Sequence, residues 1–165
     1  MKETISTMTL FKIIIVFTFL FAAFLSVAIL YNKVYKLKNQ TISIIEKYEG
    51  INSKVNNTTI KIINNYLKNS GYTIKGNCAA DEFGVASLDV SSYEKAQANK
   101  KYYYCLDFFC VNDDDCSSAV KGDKIFYKTK LFFKFDLPFF GELFTFKITG
   151  DTKEVIFYTD KQILS

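Results

Sequence analysis

The residues with the most chemical potential are four cysteines, Cys78, Cys105, Cys110 and Cys116. Cys105 and Cys110 stand five apart, a spacing compatible with zinc, yet no paired knuckle repeats elsewhere and the chain contains no histidine. An even set of cysteines in a small domain points instead to disulfides and an oxidising compartment. On one strand, Cys105 and Cys110 would point to opposite faces and could not pair. That leaves two connectivities, of which Cys78–Cys105, tying the early loop to the sheet, with Cys110–Cys116 closing a small loop, is the one expected. The acidic run Asn112-Asp113-Asp114-Asp115, with Asp123 beyond, lacks the alternating spacing, turn glycine and terminal glutamate of a calcium loop and reads as a solvated turn. Asp81-Glu82 has nothing beside it to make an acid–base pair.

The missing residues constrain function further. All 21 basic residues are lysine, with no arginine, histidine or tryptophan in 165 residues. A catalytic triad lacks its imidazole, a thiolate nucleophile lacks its base, and a phosphate clamp lacks its guanidinium. The expectation is a protein that is not an enzyme, with no metal and no cofactor.

Charge placement names the partner. Residues 1–48 hold six lysines and two acids, whereas residues 49–165 hold fifteen of each. A nucleic-acid binder concentrates positive charge on its folded domain, so no nucleic-acid partner is expected. The excess instead brackets residues 13–31, nineteen residues without a charge, interrupted only by Thr18 and Ser26. Such a run covers about 28 Å as a helix, the thickness of a bilayer core. Lys12, Tyr31 and Lys33 mark its boundaries, so a lipid bilayer is the first expected partner. A signal peptide cut after Ser26-Val27-Ala28 is the rival reading. Against it, Val34, Leu37, Thr41, Ile44, Ile45 and Tyr48 continue the apolar pattern at three- and four-residue steps to Gly50. One helix over about 8–49 is the simpler account.

Two signals for orientation conflict. Four lysines follow the run and two precede it, which favours a cytoplasmic C-terminus. The cysteines favour the opposite, and the charge rule weakens for exported folded domains. The expectation is a single-pass protein of the cell membrane, its N-terminus cytoplasmic and its C-terminal domain extracytoplasmic.

Beyond the anchor, a helix is expected from Thr58, with Ile60, Ile63 and Leu67 on one face and Asn69-Ser70-Gly71 as its stop. Residues 72–77 read as a short strand, 78–99 as a loop with one strand, and 101–111 as a central strand, apolar on both faces. From 125 to 137 the odd positions are mainly apolar and the even ones mainly polar, a strand with one buried face. The next run is expected to bury Phe144, Phe146 and Ile148. Gly150-Asp151 reads as a type II′ turn, placing Lys147 opposite Glu154 in an antiparallel meander of 124–136, 142–149 and 153–159. The fold class is α+β: a long N-terminal transmembrane helix continuing into a small extracytoplasmic domain with a second helix and an antiparallel sheet. Its divisions are a tail (1–12), a membrane helix (13–31), its continuation (32–49) and the domain (50–165).

Two surfaces stand out for contacts. Ala22, Ala23 and Ser26 form a small-residue patch for helix packing. Leu137-Pro138-Phe139-Phe140 joins two strands yet is apolar, so it either folds back onto the core or meets a neighbouring subunit.

This order of elements, with Lys130 to Gly141 and then Phe144 to Thr152 as a strand–Pro–strand–Gly–Thr ending, resembles TadE-like proteins and, more broadly, type IV pseudopilins. The resemblance implies a subunit of a pilus, secretion or uptake assembly whose partners are other pilin-like or secretion-system subunits. It departs from the pilin pattern at the N-terminus: no glycine precedes Gly50, and Glu3 lies outside the apolar run. A membrane-anchored binding or sensor domain unrelated to pili is the alternative expectation.

Overall fold

The computed structural model describes residues 2–51, 58–111, 123–137 and 141–156. Helix α1 spans Lys2–Lys47 and α2 spans Thr58–Asn69; the strands are β1 (Phe83–Val85), β2 (Glu94–Lys95), β3 (Tyr104–Cys110), β4 (Lys124–Leu137), β5 (Gly141–Asp151) and β6 (Val155–Ile156). The fold is α+β, an antiparallel sheet ordered β2-β1-β3-β4-β5 with β6 also on β4.

Helix α1 is one element with two environments. In the first, 8–22 are exposed on every side, and the most apolar window has a mean hydropathy of 2.9 with none of it buried. In the second, Val34, Leu37, Lys38, Thr41, Ile44 and Ile45 are buried at three- and four-residue steps against the sheet. The helix stops where the Gly50 N–H bonds back to Ile45 O at 2.9 Å, with Glu49 and Gly50 both in the left-handed region. Gly50 also leaves room for the Tyr127 hydroxyl, which accepts the Ile51 N–H at 3.3 Å. The Thr59 hydroxyl donates to Gly50 O at 3.0 Å, tying the start of α2 to the end of α1.

Helix α2 buries Ile60, Ile63 and Leu67 as its spacing predicts. They join Ile44 and Ile45 over Tyr104, Leu106, Tyr127 and Leu131 in one core. Each such aliphatic side chain contributes about 1.5–3 kcal/mol on full burial. Strand β3 is central as expected, lying between β1 and β4. Of β4, the odd positions Ile125, Tyr127, Thr129, Leu131 and Phe133 are all buried.

The structure corrects five expectations. Residues 78–99 hold two short strands, β1 and β2, which pair with each other, rather than one. Residues 72–77 form no strand; they make only the bridge Gly76–Tyr102, because the Tyr72 side chain occupies the ladder position beyond β3. Phe132, on the side of β4 expected to be solvated, is 3 % exposed because that segment covers it. Gly150-Asp151 does not turn: Gly150 opposes Thr129 and Asp151 opposes Lys128. After Asp151, residues 152–154 bulge opposite Phe126 and Tyr127, and β6 resumes along β4 with Val155 opposite Ile125. Thr152 carries the bulge by bonding both the N–H and C=O of Tyr127 at 2.9 Å, and Glu154 pairs with Lys124 at 2.7 Å rather than with Lys147. Gly150 is small because α1 crosses there; a Cβ would stand 2.7 Å from Ile42 Cδ1 and 2.8 Å from Lys38 Cδ. Finally, Phe146 is 46 % exposed, not buried. It sits on β5 at the sheet edge, where it stacks on Phe133 and α1 reaches no further than Tyr31 against that ring.

Candidate functional site

Cys78 and Cys105 are joined, with an S–S distance of 2.00 Å and Cα atoms 5.6 Å apart, as expected. Cys110 is also disulfide-bonded, and Cys116 lies outside the described residues. Cys78, Cys105 and Glu82 bring three donor atoms within 4.8 Å, a grouping the sequence did not reveal. The sulfurs are spent on each other, however, and the carboxylate accepts the Ala79 N–H at 2.9 Å and pairs with Lys130. Glu82 is 2 % exposed, so this partner serves the fold: an unpaired carboxylate there would be costly. Asp81, beside it, is exposed, and the run 112–115 lies outside the described residues.

The helix-packing residues lie along the exposed half of α1, Ala22 and Ser26 open and Ala23 half-buried. Within that half, Thr18 donates its hydroxyl to Ile14 O at 2.8 Å. Its polar group is satisfied inside the helix, as an apolar surrounding requires. At the end of the apolar run an aromatic collar forms. Tyr31 stacks on Tyr35 with ring centroids 6.1 Å apart and meets Phe133 edge-on at 6.1 Å; Phe133 stacks on Phe146 at 5.2 Å. Strand β4 runs past α1 in the opposite sense, from the Ile42–Gly150 approach near Thr129 to the Tyr31–Phe133 contact. Its last described pair, Leu137 with Gly141, continues in that direction, and 138–140, with Pro138, Phe139 and Phe140, lie outside the described residues.

On the opposite face of the sheet is an open cleft of about 500 Å³. Phe132 lies buried beneath it, its lining carries Lys75, Asn77, Lys101, Thr145 and Lys147, and Phe146 borders it through β5. Among the described residues no carboxylate lines it. The Lys75 ammonium is held by Ala86 O at 3.2 Å and stands 4.4 Å over the Tyr103 ring, so it supplies field more than reach. Lys101 and Lys147 make no ion pair among the described residues. Tyr72 holds the floor in place: its hydroxyl accepts the Phe132 N–H at 2.8 Å and donates to Phe132 O at 2.9 Å or Tyr103 O at 3.0 Å. Burial pushes that phenol well above its ordinary pKa. The cleft draws on four separate stretches of chain, so no local motif announces it.

Comparison with family models, with curated proteins and with solved structures finds no match for this chain.

Proposed function

We propose that this protein is a single-pass membrane subunit, TadE-like or more broadly pseudopilin-like, that works in a pilus, secretion or uptake assembly by helix packing and protein contacts. The observation that carries the reading is the division of α1: an apolar half whose residues 8–22 are exposed among the described residues, continuous with a half that forms the core of the domain. A helix exposing this much apolar surface in water would aggregate, whereas in a bilayer it needs no cover. Because the same helix is the domain's core, its tilt in the membrane dictates the orientation of the sheet, which suits a subunit whose contacts are set by neighbouring helices.

The domain is placed outside the cell in this reading, on the strength of its disulfides. Photocrosslinkers at Ala22, Ala23 and Ser26 test the assembly role in native membranes. The reading expects adducts to other single-pass subunits, lost when Ala22 and Ala23 become Phe. Crosslinks to lipid alone at all three positions would refute it. The second reading, a membrane-anchored binding domain, is favoured by the lysine-walled cleft.

A further inference from the structure

We propose that this cleft binds the phosphate of an anionic phospholipid headgroup, so that the domain is seated on the membrane as well as tethered to it. The inference rests on the reading of α1 as a membrane helix and adds a second lipid contact to it. Three observations combine. The first is charge: Lys75, Lys101 and Lys147 line one opening that, among the described residues, no carboxylate lines. Lysine takes phosphate as a point charge and needs no bidentate geometry, which fits a chain without arginine. The Thr145 hydroxyl and the Asn77 amide are the neutral donors beside them.

The second is depth. Phe146 at the cleft rim stacks on Phe133 at 5.2 Å, and Phe133 meets Tyr31 at 6.1 Å. Tyr31 closes the uncharged run 13–31. If that run fills the hydrocarbon core, the headgroup layer occupies the next several ångströms, at the level where the cleft opens. The third is an apolar neighbour. Phe146, 46 % exposed, presents ring surface on the α1 side of the same edge strand, a complement to the glycerol and upper acyl carbons that accompany a lipid phosphate and are absent from a free one.

The chain has no tryptophan, so single substitutions give clean reporters. Phe146→Trp beside the cleft and Phe24→Trp in the apolar run are each placed in the full chain in phosphatidylcholine vesicles. Brominated phosphatidylglycerol or brominated phosphatidylcholine is then titrated as a minor component. The proposal expects the rim reporter to be quenched at lower mole fractions of the anionic lipid than of the zwitterionic one. Lys101→Gln with Lys147→Gln should weaken that preference about thirtyfold, about fivefold for each lysine lost near an anionic surface. Soluble glycerol phosphate in excess should leave the quenching unchanged. Equal quenching by the two lipids, or a preference untouched by the double substitution, overturns the proposal; full competition by glycerol phosphate overturns its assignment to lipid. Phe24→Trp separates the two claims: quenched there without selectivity at the rim, only the cleft proposal fails, and unquenched there, the membrane reading fails too.

Discussion

Replacing Tyr72 by Phe isolates the contribution of one hydroxyl to the seat of the cleft. Tyr72 is 4 % exposed, and its ring packs in the core, so Phe keeps the shape and removes only the oxygen. That oxygen accepts the Phe132 N–H at 2.8 Å and donates to one of two carbonyls, Phe132 O at 2.9 Å or Tyr103 O at 3.0 Å. The carbonyls have second lone pairs, but the amide has one proton and no other partner at hand. An unsatisfied buried donor costs about 1–3 kcal/mol, partly offset because the phenol no longer has to be desolvated. A net loss of about 2 kcal/mol follows, a fall in melting temperature of roughly 6–12 °C for a folded unit of this size. Circular dichroism of the full chain in micelles measures it, and hydrogen exchange at the Phe132 amide localises it. Tyr66→Phe is the control, since that hydroxyl makes no hydrogen bond to the described residues. A melting temperature within 2 °C of the parent, with Phe132 still protected, would refute the reasoning.

Three further outcomes are expected. Cys78→Ala with Cys105→Ala opens a link across a sequence separation of 27 and should cost about 3–4 kcal/mol by chain entropy; a loss below about 1 kcal/mol in denaturant titration would contradict this. Gly150→Val should destabilise by about 1–3 kcal/mol because the ends of the Ile42 and Lys38 side chains packed over it must be displaced, although valine ordinarily favours a strand; a neutral or stabilising result would contradict the close crossing. Burial pushes the Tyr127 phenol up to about 12, against the pull of the hydrogen bond it accepts from Ile51, while an unfolded tyrosine titrates near 10.0. The folded state therefore holds its proton where the unfolded state releases it, so stability is intact below pH 10 and falls between about 10 and 12. Phenolate absorbance should rise in two stages, exposed tyrosines first and buried ones with unfolding. A single step near pH 10 with the fold intact would overturn it.

What was legible in the sequence is what local periodicity encodes. The steps from Val34 to Ile45, from Ile60 to Leu67, and the odd positions of β4 each mark a face, and the structure buries those faces. Strand alternation excludes Cys105–Cys110, and the structure joins Cys105 to Cys78. The failures are long-range. Gly150-Asp151 has the chemistry of a hairpin turn, but the small residue serves α1, more than a hundred residues away in sequence. Phe146 alternates as a core residue should, yet it lies on an edge strand beyond the reach of the helix. Lys75, Lys101 and Lys147 look like ordinary surface charge until the topology brings them to one opening.

The central claim is that a single helix passes from lipid into the core of the domain. A nitroxide scan along α1 from residue 10 to residue 47, in proteoliposomes, tests it most directly. The account predicts high oxygen and low aqueous-relaxant accessibility from 13 to 30 with no helical periodicity. It predicts a change of regime near Tyr31, then minima at Val34, Leu37, Thr41 and Ile44–Ile45. Aqueous accessibility across 13–30, or helical periodicity running through the whole element, would contradict it.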